Sequence, residues 1–257
     1  MRLEMRPELA TGYKSRSQQA RVISEAWGLE NLFCPRCDSM SLVGSETNAK
    51  VVDFGCPKCS AQFQLKCQSH PFYQKIVDSA YEVMRRAIEE RRTPHLLAME
   101  YDPSLWKVQN LTLIPSFAFT FSSLEKRKPL SLGARRSGWV GCNILLGKIP
   151  QDARIPVVSS GVPAEPSAVR QQYALLHPLE TLDSEARGWT LDVLNVVRVL
   201  GKNEFVLSEL YAKADYLQQL HPNNRHVRDK IRQQLQRLRD LGFIEFGKRG
   251  TYRVKRT

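Results

Sequence analysis

The chain has 257 residues, 42% of them hydrophobic, enough to bury a full core and long enough for two domains. No run of about 18 apolar residues occurs, which excludes a membrane-spanning helix. A formal net charge of +12 and a pI near 9.6 point to a polyanionic partner, nucleic acid foremost, with a membrane surface or a ribosomal contact as other readings.

In chain order, residues 15–27 set Ala20, Ile23 and Trp27 at helical spacing, which predicts an amphipathic helix packed on a sheet. Two CxxC pairs follow, Cys34/Cys37 and Cys56/Cys59, separated by 18 residues. Each pair fits one tight turn, and two such turns close a tetrahedron of thiolates around Zn²⁺. Two disulfides are the alternative. The N-terminus carries no apolar signal segment, which predicts an intracellular, cytoplasmic chain with reduced thiols and favours zinc. Four protein ligands leave no position for a catalytic water, so this metal is expected to be structural. Cys67 and Cys142 read as small buried apolar residues.

Residues 51–54 and 61–67 read as short strands within and after this insert. In the second, Phe63 and Leu65 alternate with Gln62, Gln64 and Lys66, so Gln64 and Lys66 project together. Residues 76–90 are predicted as a helix, 95–101 and 111–114 as strands with a loop over 102–110. Residues 154–169 are read as a possible strand passing into a surface loop rich in Pro, Ser and Gly. This makes residues 1–183 an α/β catalytic domain, with residues 184–257 as a second domain.

The second domain shows helices over 189–200, 207–217 and 224–240, then a hairpin of 243–246 and 251–254 with the basic tip 247–250. Three helices and a hairpin define a winged helix-turn-helix. Residues 184–257 carry 15 Lys and Arg against 8 Asp and Glu, so +7 of the +12 lies here. In the third helix Val227, Ile231, Leu235 and Leu238 mark the buried stripe, with Arg225, Arg228, Arg232 and the Gln residues elsewhere. Asn224, Arg225, Arg228 and Arg232, with Lys248 and Arg249 on the wing, are the candidate DNA contacts, against a solvated basic surface or a protein-binding winged helix.

Phosphodiester hydrolysis needs a divalent metal, an activated water and a neutraliser of developing charge. Asp53 followed by Gln64-Leu-Lys66 matches the pattern of an Asp and an acidic residue two before a Lys, except that the acid is Gln64. A Gln carbonyl can coordinate Mg²⁺ but brings no charge. An Asp53–Lys66 surface salt bridge is the competing reading. Glu25 is a further candidate carboxylate, or a solvated helix residue. The five His residues, His70 and His177 among them, form no ligand cluster. Arg135, Arg136 and Trp139, in a Gly-rich segment, suit a loop laid on a phosphate backbone with an aromatic reaching a base. The alternative is a core Trp139 beside surface arginines.

The segments TGYKSRSQQARVISEAW, CPRC and CPKC with VVDF between them, EKRKPL, GARRSGWVGCNI and KIRQQLQRLRDLGFIEFGKRGTYR resemble the DpnI-like methyl-directed restriction endonucleases, in order and over nearly the whole chain. The resemblance implies a restriction-endonuclease-like PD-(D/E)xK domain with a zinc-binding insertion, followed by a winged helix. It implies Mg²⁺-dependent cleavage of double-stranded DNA at GATC sites carrying N6-methyladenine, both domains reading the modified site. By match of motif, Asp53, Gln64 and Lys66 take the catalytic positions, Asp53 and Gln64 as magnesium ligands, and Cys34, Cys37, Cys56 and Cys59 the zinc positions. Trp139 falls on the loop that meets the methylated adenines. The chain departs from this family at Gln64, where its members carry Glu. A reader that binds without cutting and an RNA or repair nuclease are the other functions considered. No membrane partner and a monomeric state are expected.

Overall fold

The structure, a computed structural model, describes residues 1–45, 52–248 and 250–255. Helix α1 (Arg16–Asn31) buries Ala20, Ile23, Ser24, Trp27 and Gly28, the three-and-four spacing expected of a helix on a sheet. Strands β1 (Val43–Gly44), β2 (Phe54–Gly55) and β3 (Gln62–Gln68) follow. Next come β4 (Lys75–Ala80), α2 (Tyr81–Glu89), β5 (His95–Asp102) and β6 (Lys107–Ile114), then β7 (Leu124–Lys126), β8 (Gly141–Leu145), β9 (Ile155–Ser159), β10 (Val162–Pro163) and α3 (Pro166–Leu176). The C-terminal part holds α4 (Ser184–Val199), β11 (Glu204–Val206), α5 (Leu207–Tyr211), α6 (Ala214–Leu220), α7 (Val227–Asp240), β12 (Ile244–Phe246) and β13 (Thr251–Val254). The expected mixed α/β architecture with a C-terminal helix-turn-helix is observed. No helix of the described residues is long and apolar enough to cross a membrane.

The chain forms two compact units. The first contains Met1–Gln74, Arg92–Ser116 and Ala153–Ala174. Its sheet runs β1-β2-β3-β5-β6-β9-β10, with β3 and β5 parallel and the other pairs antiparallel. Helix α1 is fixed against β2 at Gly28, where a Cβ would lie 2.5 Å from the Phe54 ring. This contact sets Asp53, the residue before Phe54, beside α1.

The second unit contains Lys75–Arg91, Phe117–Asp152 and Leu175–Thr257. It holds the sheet β4-β8-β7 and the sheet β11-β13-β12 of the winged helix. Helix α4 is buried from Arg187 to Val197, and several of its polar groups bind segment 117–152. Asp192 accepts from Ser122 at 2.7 Å and meets His221 Nε2 at 2.8 Å, while Asn195 donates to the Gly147 carbonyl at 3.0 Å. Arg198 clasps Asp152 through two bonds of 2.8 and 2.5 Å. Charge-assisted, bidentate bonds of this kind fix orientation as well as distance.

Several elements differ from the sequence expectation. Residues 75–80 form β4 rather than the start of a helix: Ile76 and Asp78 are buried, Lys75 and Val77 exposed, and the segment pairs with β8. The β-branched pair Ile76-Val77 suits that pleat, and α2 begins only at Tyr81. The loop expected over 102–110 shrinks to a tight turn, because Asp102 Oδ1 accepts from the Ser104 and Leu105 N–H groups and Trp106 stacks on Tyr101 at 5.3 Å. The stretch read as a surface loop holds β10 and α3. Pro166 stands first in that helix, a place where proline is favoured and which reads as a loop from sequence. In α7, Val227, Ile231, Leu235 and Leu238 are buried as expected, but so is Gln234, which accepts from Thr190 Oγ1 at 2.8 Å. Residue 51, the start of one expected strand, lies outside the described residues.

Candidate nuclease site and nucleic-acid interface

The four cysteines converge. Cys34 Sγ lies 3.6 Å from Cys59 Sγ and Cys37 Sγ 3.5 Å from Cys56 Sγ, with all four within 4.8 Å of one another. Tetrahedral zinc with bonds of about 2.3 Å separates its sulfurs by about 3.8 Å, whereas a disulfide requires about 2.05 Å. The thiols are free and could hold zinc. Burial pushes the Cys34 thiol up; at Cys56 burial acts the same way, yet N–H groups of Cys59 and Lys58 and the neighbouring thiols bring it down to about 6. Lys58 pairs with Asp38 at 3.1 Å, tying the two turns together. Arg170 of α3 donates to the carbonyls of Cys34 at 3.0 Å and Ser39 at 2.9 Å and lies over the Phe33 ring. Nothing in the sequence marks Arg170 for this task, since it comes from a distant helix. Of the two remaining cysteines, Cys142 is buried as expected, while half-buried Cys67 accepts from Ser24 Oγ of α1 at 3.4 Å.

Immediately beyond this brace the structure brings Asp53, Gln64 and Lys66 together. The Asp53 N–H donates to the Phe63 carbonyl at 2.8 Å, and Asp53 Oδ2 accepts the Leu65 N–H at 2.7 Å. The carboxylate is thereby laid along backbone 63–65, whose middle residue is Gln64. Strand alternation places Gln64 and Lys66 on one face, opposite Phe63, which is fully buried against His95. Burial pushes the Asp53 carboxyl above its ordinary value; the Leu65 N–H opposes this, Glu25 adds to the rise, and Lys66 and Arg21 favour ionisation. Of the two readings of Glu25, a further carboxylate or a solvated helix residue, the structure shows a half-buried side chain near Asp53. That side chain is 31% exposed, paired with Arg21 at 2.7 Å, and near enough to repel Asp53.

This set offers two carboxylates and a neutral amide oxygen, all hard donors suited to Mg²⁺. Arg21, paired with Glu25, and Lys66 already offset part of the charge on these carboxylates. His95, which no sequence motif marks, is buried between Phe63 and Tyr173, accepts the Ser116 N–H at 2.9 Å, and is brought down to about 3 by burial.

In the second unit, Arg135, Arg136 and Trp139 lie on the loop joining β7 to β8. Both arginines are exposed, and the Arg136 guanidinium sits 5.1 Å over the Trp139 ring. Trp139 is half-buried, not core. Its ring lies on Gly141, where a Cβ would come within 2.7 Å of it. On α7, Arg228 lies over the Tyr211 ring at 5.3 Å, and Arg232 donates to the Tyr211 hydroxyl at 3.1 Å and pairs with Asp229. Tyr211 of α5 thus holds two candidate phosphate-binding side chains. Arg225 and Lys248 are exposed, and Arg249 lies outside the described residues. Asn224 is committed otherwise: its Oδ1 accepts the His226 N–H at 2.8 Å and shapes the turn into α7.

A helix-turn-helix with a wing, beside exposed arginines on α7 and on the loop before β8, marks a DNA-binding protein. The family model for DpnI, the Dam-replacing family, matches residues 1–181, and that for the Dam-replacing HTH domain matches residues 185–254. The chain belongs to the DpnI family, and membership implies a methyl-directed restriction endonuclease.

Proposed function

We propose that the protein cleaves double-stranded DNA at GATC sites whose adenine carries an N6-methyl group, residues 1–183 cutting and residues 184–257 supplying a second reading of the modified site. The observation that carries this reading is the Asp53 carboxylate fixed by the Leu65 N–H between Gln64 and Lys66. Asp53 and Gln64, with Glu25 alongside, would hold Mg²⁺, which when bound polarises the phosphoryl oxygen and acidifies a water. Lys66 stands beside this donor set to orient that water or neutralise the charge that develops on the phosphate. Arg135 and Arg136 would fix phosphates while Trp139 presents an apolar wall to a methyl group. The test is a paired digest of plasmid from a host that methylates GATC and from one that does not. Cutting of the methylated plasmid alone, lost in Lys66→Ala, is expected; equal cutting of both, or of neither with Mg²⁺ or Mn²⁺, sinks the proposal.

One residue favours a second reading. Gln64 removes a negative charge from the donor set, as expected of a protein that binds methylated DNA without cutting. Gln64→Glu discriminates the two: a working nuclease gains rate or needs less metal, whereas a reader binds selectively and does not respond.

A further inference from the structure

We propose that Leu132 is a wedge that enters the base stack of the bound duplex. It is 96% exposed, the highest value among the exposed large apolar side chains of the described residues. It does not sit on a loose strand of chain. The loop from Arg127 to Val140 is closed at its neck, where Leu130 N–H donates to the Trp139 carbonyl at 3.0 Å and Gly138 N–H to the Leu130 carbonyl at 3.1 Å. Its crown is two consecutive turns, with Ala134 N–H donating to Ser131 and Ser137 N–H to Ala134, both at 3.0 Å. Backbone bonds thus shape a rigid tip and leave the Leu132 side chain pointing at solvent.

The surroundings state which partner the tip suits. Residues 126–140 contain Lys126, Arg127, Lys128, Arg135 and Arg136 and no acidic residue. Arg136 rests over Trp139 at 5.1 Å and Lys126 over Tyr81 at 5.3 Å, so two of these cations are held in place at the flanks. A loop whose charged residues are all basic and whose apolar tip stands in solvent has the parts of a wedge, cations to grip phosphates and a side chain to part a base step and bend the duplex, as apolar wedges do in minor-groove binders. A single exposed leucine is ordinary on a protein surface; this one stands at the crown of a hydrogen-bonded loop whose charged residues are all basic. The role rests on the reading of the protein as a DNA binder but does not depend on cleavage.

The test uses the full-length protein without Mg²⁺, on a methylated GATC duplex carrying dyes at its ends and 2-aminopurine at each flanking position in turn. Binding is expected to raise end-to-end energy transfer and to brighten 2-aminopurine severalfold in at least one position. Leu132→Ser should lose both signals and weaken binding by roughly threefold to tenfold, while leaving the salt dependence unchanged because no charge is removed. Leu132→Phe should restore the signals. Binding by the wild type with neither signal, or signals that persist in Leu132→Ser, overturns the wedge and leaves the proposed function standing. Absence of binding to any duplex overturns both.

Discussion

The Asp53 site and the basic surfaces of the second unit hold their charges in opposite ways. At Asp53 the carboxylate is half-buried, bonded to backbone, repelled by Glu25 and favoured by Lys66 and Arg21. On the loop before β8 and on α7 the charges are exposed, Arg136 over the Trp139 ring, Arg228 over the Tyr211 ring, and Arg232 on the Tyr211 hydroxyl and Asp229. A half-buried carboxylate raised by burial and by Glu25 costs the fold something even with Lys66 and Arg21 beside it, and salt screens it less than an exposed charge. An exposed set costs the fold little and answers to salt alone. Under the proposed function the contrast separates chemistry from grip, and each of its terms can be attacked.

The largest effect is expected from the brace. Structural zinc contributes on the order of 10 kcal/mol to the folding of small metal modules. Chelation, or Cys56→Ser, should therefore abolish cleavage and free the amides of Gln62–Gln68 to hydrogen exchange, while α7 stays protected and DNA binding persists. Unchanged exchange over Gln62–Gln68 after zinc removal would separate the brace from the Asp53 site. Arg170→Ala should act in the same direction and more weakly, read as faster zinc loss to a chelator.

Acid probes the same unit through His95. Its folded value of about 3 lies below the ordinary histidine value, so the unfolded chain takes up a proton that the folded chain refuses. The stability gained from neutral His95 is full above pH of about 6.5 and is lost as pH falls toward about 3, roughly 2 kcal/mol of it by pH 5. Denaturant unfolding at pH 7 and pH 5 measures this. His95→Gln keeps an acceptor for the Ser116 N–H and should flatten the difference; an equal acid loss in the variant would assign it to other groups.

How far these features were legible in the sequence depended on whether their cause was local. The CxxC spacing reports one turn, so the four-thiol cluster is visible without the fold. The stripe Val227, Ile231, Leu235, Leu238 reports one helix, and it too is visible. Glu25 was ambiguous because its meaning depends on how α1 lies on β2, which Gly28 and Phe54 decide across 26 positions of sequence. Strand β4 is hidden in the sequence because its pairing partner β8 lies more than sixty residues on, and periodicity alone favours continuing α2 backwards. Gln234 is polar yet buried because Thr190 on another helix and Arg237 on its own helix both donate to its side-chain oxygen.

A smaller effect, of opposite sign for stability and activity, is expected at Asp53 itself. Burial raises this carboxyl, so the folded state holds its proton more tightly than the unfolded chain does, and the ionised form weakens the fold above the ordinary carboxylate range. In zinc-loaded, Mg²⁺-free protein, Asp53→Asn should raise Tm at pH 7, with the gain closing as pH falls toward about 4. The amide oxygen can still accept the Leu65 N–H, so the brace is left intact. Cleavage should be lost in the same variant. A lowered Tm at pH 7 would mean that Lys66 and Arg21 outweigh burial and Glu25, and the contrast with the second unit would fail.

The smallest effect belongs to the exposed side, and it is read from a slope rather than from affinity at one salt concentration. Each phosphate neutralised on duplex DNA changes log K by about 0.9 per tenfold change in salt. Arg228→Ala and Arg135→Ala should each flatten the slope by about that amount, weakening methylated and unmethylated duplexes alike, because phosphate contacts carry no base identity. Tyr211→Leu removes the ring beneath Arg228 and the hydroxyl that receives Arg232 without removing charge. It should reduce affinity severalfold at a constant slope, since the arginines still reach phosphate but must be ordered on binding. Asp53→Asn should leave the slope untouched. If instead the slope ignored Arg228 and Arg135, the basic residues of the second unit would be a solvated surface and the grip would have to be sought elsewhere.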